Sequence, residues 1–291
     1  MDRVYLNGRF VPREEACIPV TDRGLLFADS VYEVIPAYAG VPFRAQQHLD
    51  RLQRSLAAVR LPDPMSREQW LQMIGTLCQG CPSRDQSIYI QVTRGSYPTR
   101  TLRLPAQAKP NVIAFVSPIP ERDPRIAREG LKAITIEDIR WHRCDIKSTN
   151  LLANILAQAQ ALEKQADDAI FIRDGIAKEG TASNLFIVLD GLLLTPPNSD
   201  ELLAGVTRDL VMELAAEAGI AHAEASIAEA DLYAAEEIWL SSSTREVAPV
   251  VRLNDHTVGD GRPGRHWQRM DQLYQAAKAR IRLQARSGVD T

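Results

Sequence analysis

The sequence predicts an α/β or α+β protein of two domains, and three observations carry that prediction. Short runs rich in β-branched residues alternate with segments of helical period along the 291 residues. A stretch holding Pro118, Pro120 and Pro124 among charged residues interrupts the pattern near the middle. With 45% apolar and 24% charged residues, the chain has the material for a sizeable core in one domain or two.

In chain order, residues 4–6 and 10–11 flank Asn7-Gly8, a pair that accepts the left-handed backbone of a tight turn, so they are expected to form a hairpin. A longer strand follows over 31–38, then a turn at Ala39-Gly40 and the short run Val41-Pro42-Phe43. Residues 46–59 place Leu49, Leu52 and Leu56 on one helical stripe, and Ser66 with Gln69 fits a capping box opening a second helix to about Leu77. Strands over 88–93 and 112–116 complete a smaller α/β domain of residues 1–119. Residues 120–129 are expected to be a linker that is neither helix nor central strand. In the larger domain, 130–291, strands over 131–136, 169–172, 184–188 and 237–240 alternate with helices over 151–164, 207–218 and 265–283. No repeat of fixed period and no low-complexity tract is present, which excludes solenoid architectures.

The net charge of −3 and a pI near 6.0 provide no basic field for nucleic acid. Residues 1–10 carry charges and a turn where a signal peptide needs an apolar core, and no segment reaches membrane-spanning length; a cytoplasmic protein is expected. Of four cysteines, Cys78 and Cys81 form one C-x-x-C. Without a second pair or a thioredoxin-like pattern, it reads as incidental reduced thiols, and no metal is expected.

Four segments carry candidate chemistry. The run from Asp138 to Leu152 includes Cys144-Asp145-Ile146-Lys147-Ser148-Thr149-Asn150. Beside Arg140, His142 and Arg143, the charged form of Lys147 would be disfavoured, as a Schiff-base nucleophile requires; a surface lysine before a helix fits the same spacing. Glu179, opening Glu-Gly-Thr-Ala-Ser-Asn, is either a solvated turn residue or a carboxylate that holds a protonated ring nitrogen. Gly205-Val206-Thr207 at a helix start and the hydroxyl run Ser241 to Thr244 are a cap and a polar turn, or together the donors for a phosphate.

These segments, with Thr21-Asp22-Arg23-Gly24, Val31-Tyr32-Glu33-Val34, His48-Leu49-Asp50-Arg51-Leu52 and Gln91-Val92-Thr93-Arg94-Gly95, resemble the fold type IV family of pyridoxal-5′-phosphate (PLP) enzymes over nearly the whole chain. Within it, the D-amino-acid aminotransferases are the most similar. The resemblance implies a barrel-like sheet in the larger domain, a homodimer, and transamination between a D-amino acid and a 2-oxo acid. It implies that Lys147 carries PLP as a Schiff base and that Glu179 pairs with the pyridine nitrogen. Arg51, Val206, Thr207 and Ser243 would surround the phosphate, Leu203 would pack on the ring and Arg140 would lie near the ring hydroxyl oxygen. Tyr32 would bind substrate, together with an Arg-x-His pair in a loop. Here that loop reads Ser96-Tyr97-Pro98-Thr99-Arg100-Thr101-Leu102-Arg103, so the pair becomes Arg100 and Leu102 after a one-residue insertion, with Arg103 as a replacement donor. Alternatives within the fold are an (R)-selective amine transaminase, a branched-chain L-amino-acid aminotransferase and an aminodeoxychorismate lyase. Outside it, the alternatives are a thiol redox protein using Cys78 and Cys81, or a binding protein.

Overall fold

The computed structural model describes residues 3–79 and 85–287. The chain divides into two compact units. The first holds the chain up to Pro120, the segment Ile146–Asn150 and the chain from Lys278 on; the second holds Glu121–Asp145 and Leu151–Ala277.

The first unit contains β1 (Arg3–Leu6), β2 (Arg9–Pro12), α1 (Arg23–Phe27), β3 (Ser30–Tyr38), β4 (Val41–Pro42), α2 (Ala45–Ala58), α3 (Arg67–Cys78), β5 (Gln86–Thr93) and β6 (Asn111–Pro118). Its strands form one antiparallel sheet in the order β2-β1-β6-β5-β3-β4. Asn7 and Gly8 both have positive φ, 50° and 90°, which lets a two-residue turn close the β1–β2 hairpin in register with strand twist. Along β3, alternation turns Val31, Glu33 and Ile35 to the buried side. Leu49, Leu52 and Leu56 of α2 and Trp70, Met73 and Ile74 of α3 cover that side, packing with Ile88, Ile90 and Val92 of β5. The capping box of α3 is present: Ser66 Oγ accepts from Gln69 N and Gln69 Oε1 accepts from Ser66 N.

The second unit contains α4 (Pro124–Glu129), β7 (Leu131–Glu137), α5 (Leu152–Glu163), β8 (Asp168–Arg173), β9 (Ile176–Gly180), β10 (Asn184–Leu189), β11 (Leu192–Thr195), α6 (Val206–Glu217), β12 (His222–Glu224), β13 (Ile227–Ala228), α7 (Glu229–Ala234), β14 (Glu237–Ser242), β15 (Glu246–Leu253) and β16 (His256–Thr257). It also contains the first part of α8 (Arg265–Ser287). Strands β10, β14, β15, β7, β8 and β9 are paired in that order, and Asn184 opposite Glu179 joins β9 back to β10. Six strands thus close on themselves, which is the barrel-like sheet the sequence led us to expect. Apolar residues such as Ile170, Leu185, Ile187, Ile238, Leu240 and Val250 form its core cluster.

Several features depart from the sequence reading, which did not name α1, β9, β11, β12, β13, α7 or β16. Residues 124–129 are helical: Asp123 caps the segment by accepting from Arg125 N at 2.9 Å, and Pro124 occupies the first helical position, where the missing N–H costs no bond. Strand β15 went unseen because Pro249 breaks its signal; pairing with β7 begins at Val250, one residue past the proline. The division into units is not contiguous in sequence either. Ile146–Asn150 belongs with the first unit, because Ser148 bridges to Val31 and Ile146 is buried among that unit's core residues. Among the described residues, no helix is long and apolar enough to cross a membrane.

Candidate active site

In the first unit the lysine segment is fastened alongside the start of β3. The Lys147 carbonyl accepts from Tyr32 N at 2.9 Å, and its N–H donates to Ser55 Oγ at 3.2 Å. Thr149 N donates to the Ser30 carbonyl. Both peptide groups of Lys147 are therefore fixed, and its half-buried side chain sets Nζ 4.3 Å from the centroid of the Tyr32 ring. The expected crowding by like charge takes a different form. Arg143 pairs with Asp145, Arg140 pairs with Asp138 and Glu179, and the His142 side chain is 77% exposed.

His48, Arg51 and Ser55 are spaced three and four apart on α2, which puts them on one helix face against β3. The Arg51 guanidinium grips Glu33 with two parallel bonds, Nε to Oε1 at 2.7 Å and NH2 to Oε2 at 2.8 Å. Glu33 Oε2 also meets His48 Nδ1 at 2.8 Å; an ionised carboxylate only accepts, so Nδ1 carries the proton. All three groups are buried. Burial alone would raise the Glu33 pKa, but the Arg51 cation and the bonds from Arg51 and His48 outweigh it and hold the carboxyl far below its usual range. Burial pushes the His48 pKa down, helped by the nearby Arg51 and Lys147 charges and opposed by Glu33.

In the second unit Glu179 lies near the end of β9, 6% exposed. Its Oε1 accepts from Arg140 NH1 at 2.5 Å, and its Oε2 accepts from Leu203 N at 3.1 Å and from Asn184 Nδ2 at 3.4 Å. Asn184 Nδ2 also donates to the Leu203 carbonyl at 2.7 Å. Arg140 is held by Asp138, with Nε to Oδ1 and NH2 to Oδ2 both at 2.9 Å, and stacks 4.2 Å above the Phe171 ring. Burial disfavours this cation, yet the two carboxylates overcome it and raise its pKa. Val206 and Thr207, both buried, open α6 behind Gly205, which offers no side-chain cap. The first intrahelical bond is Asp209 N to the Gly205 carbonyl, so the preceding N–H groups are the kind an anion takes. A Cβ on Gly205 would run into Asn184 Oδ1; only glycine lets this helix start lie so close to the strand. Ser243 is half-buried in the turn between β14 and β15.

The loop of residues 96–103, expected to bind substrate, is exposed over residues 98–103. Arg100 is exposed and lies 5.0 Å from the Phe27 ring centroid, Arg103 is exposed, and Leu102 is 79% exposed. Tyr32 stacks on Tyr89, with ring centroids 5.7 Å apart. Sequence reasoning did not find Glu33, His48, Asp138 or Asn184. Glu33 was visible in principle, as a lone charge at a buried parity position in an apolar strand. The other three partner with residues distant in sequence or lie in loops where polarity is common.

Cys78 is buried and its thiol is pushed up to about 12 by that burial, the opposite of an activated thiol; Cys81 lies outside the described residues. Among the described residues, no group of three or more His, Cys, Asp or Glu is placed to hold a metal ion.

Residues 30–253 match the amino-transferase class IV family. A D-alanine aminotransferase of Bacillus licheniformis is 38% identical over 264 residues, which cover 90% of this chain and 92% of that one. The crystal structure of the Escherichia coli branched-chain amino acid aminotransferase is similar with a TM-score of 0.88 at 27% identity, covering 94% of each chain. The T.th. branched-chain amino acid aminotransferase, complexed with N-(5′-phosphopyridoxyl)-L-glutamate, gives 0.87 at 26% identity, covering 96% of this chain and 95% of that one. With a match this long and relatives this similar at full length, the chain belongs to the class IV aminotransferases, enzymes that work with PLP.

Proposed function

We propose that the protein transfers amino groups between D-amino acids and 2-oxo acids, with Lys147 as the residue that carries PLP. The observation that carries the reading is the fixing of Lys147 at both its peptide groups, with its amine beside the Tyr32 ring, in a chain 38% identical to a D-alanine aminotransferase.

The residues present suit the cofactor. A pinned carboxylate at Glu179, an uncapped helix start at Val206 and Thr207, and a half-buried hydroxyl at Ser243 are the donor and acceptor set that a pyridine ring and a phosphate need. Bound there, PLP supplies an aldehyde that condenses with amines and a ring that takes up the electron pair released when Cα loses its proton. Lys147 would bind it covalently, and its amine would move the proton at Cα of the substrate. Glu179, kept in one orientation by Arg140, Asn184 and the Leu203 amide, holds a proton on the pyridine nitrogen. Arg51, Val206, Thr207 and Ser243 would bind the phosphate, Leu203 would pack on the ring, and Arg140 would serve the ring oxygen. Tyr32 orients the substrate, and Arg100 or Arg103 draws its carboxylate.

We infer a cytoplasmic homodimer. Leu152, Ile155, Leu156 and Leu162 of α5 are 48–66% exposed, an apolar helix face that a second copy would cover. An L-amino-acid reading draws on the branched-chain aminotransferase structures, at lower identity than the D-alanine relatives. Mixing the purified protein with each enantiomer of alanine and glutamate, while following the visible absorbance of the cofactor, decides between them. The D-enantiomers are expected to discharge the band. A faster response to the L-enantiomers would overturn the reading.

A further inference from the structure

Asp168, at the start of β8, has a side chain only 2% exposed, and it gathers donors from two turns. Its Oδ1 accepts from Thr181 N at 3.1 Å and Thr181 Oγ1 at 2.5 Å, in the turn that follows Glu179. Its Oδ2 accepts from Ser183 Oγ at 3.5 Å and from Arg245 NH1 at 2.6 Å. Arg245 ends the turn of residues 243–245, whose first residue is Ser243, and its N–H donates to Ser242 Oγ at 3.3 Å. That turn has no glycine, although the residue that leaves it, Glu246, sits at φ 65°. A bulky residue in the left-handed region is costly, so local sequence does not by itself select this conformation. The ion pair from the turn to the buried carboxylate supplies what local propensity lacks.

We propose that Arg245 is a positioning residue for the cofactor's phosphate. Through Asp168 it holds the turn of residues 243–245 in the conformation that presents Ser243, and it ties that turn to the one following Glu179. Arg245 touches no reacting atom; it acts through the turn it fastens. Asp168 is the buried centre, and without Arg245 it would keep only hydroxyl and amide donors around an uncompensated charge. The inference rests on Ser243 as a phosphate ligand, the role given to it above.

The test compares PLP with pyridoxal, which lacks the phosphate. Both are titrated into the full-length protein after removal of its cofactor, and Kd is read from absorbance for wild type, Arg245→Ala, Arg245→Lys, Ser243→Ala and the double variant Arg245→Ala/Ser243→Ala. Arg245→Ala should weaken PLP by ~10- to 100-fold, the scale of removing the partner that orients a site ligand, and leave pyridoxal binding unchanged. Arg245→Lys should restore most of the loss, and the double variant should bind PLP no worse than the weaker single variant. Should Arg245→Ala not fold, Arg245→Gln, which retains a donor without the charge, reads the same ratio. A variant that weakens both ligands alike, or neither, would overturn the inference while leaving the functional reading intact. A wild type that binds PLP no better than pyridoxal would sink the phosphate site itself, and this inference with it.

Discussion

Glu179 shows how little of a side chain's task is written in its own position. The sequence marked it for the pyridine nitrogen by resemblance, yet what makes it fit is a set of partners, Arg140, Asn184 and the Leu203 amide, that fix both carboxylate oxygens. Glu179→Gln should still bind PLP but lose turnover by at least ~10²-fold, the scale of removing one preorganised electrostatic group. Single-turnover rates with D-alanine check this; rates like those of wild type would mean the ring nitrogen has another partner. The loop is the least legible part of the site, because an insertion and Leu102 disturb the family's pattern and the exposed Arg100 and Arg103 are both available. A charge-assisted contact to carboxylate is worth ~2–3 kcal/mol, so Arg100→Leu should lower kcat/KM for D-alanine by about 30- to 150-fold. The same change should barely slow (R)-1-phenylethylamine, which has no carboxylate. A selective loss in Arg103→Leu instead would move the carboxylate trap to Arg103.

Among the elements, β3 and α2 hold a buried polar triad between them. Hydrophobic period alone revealed both, since Val31 and Ile35 alternate and Leu49, Leu52 and Leu56 recur at helical spacing. The polar triad buried between them was not legible, because Glu33, His48 and Arg51 satisfy one another across elements. Burying His48 with a lowered pKa has a signed consequence. Below the unfolded value near 6.5 the unfolded chain binds a proton that the folded imidazole refuses, so stability falls as pH drops through that value. Glu33 acts further down. Its lowered pKa contributes stability that is complete above about 4.5 and is lost as pH falls below it. Melting curves of the cofactor-free protein should therefore show His48→Gln losing less Tm than wild type between pH 7 and pH 5, with the two curves parallel above pH 7. Equal slopes throughout would mean that His48 titrates normally. Two of the elements the sequence missed carry a proline that read as a breaker. Pro124 sits at the first position of α4, where no N–H is needed, and Pro249 lies in β15 one residue before its pairing with β7 begins. The others, β9, β11, β12, β13 and β16 among them, are strands of two to five residues, too short for a period to show.

At the scale of the whole molecule, the strand and helix pattern was enough for the fold class, and the closed sheet followed from the resemblance rather than from any pattern of spacing. The interleaving of the chain was not foreseeable from composition. A short segment around Lys147, between stretches of the second unit, lies along β3 of the first, held by the Ser148 to Val31 bridge, the buried Ile146 and the bonds of Lys147 and Thr149 to Tyr32, Ser55 and Ser30. Local propensity says little about five residues whose place is set by long-range hydrogen bonds. The assignment of Lys147 as the residue that carries PLP turns on that segment, so the most direct test is to reduce the purified protein with borohydride, digest it and map the pyridoxyl label. The label is expected on Lys147, with none taken up by Lys147→Ala. A label on any other lysine, or full labelling of the Lys147→Ala protein, would contradict that assignment.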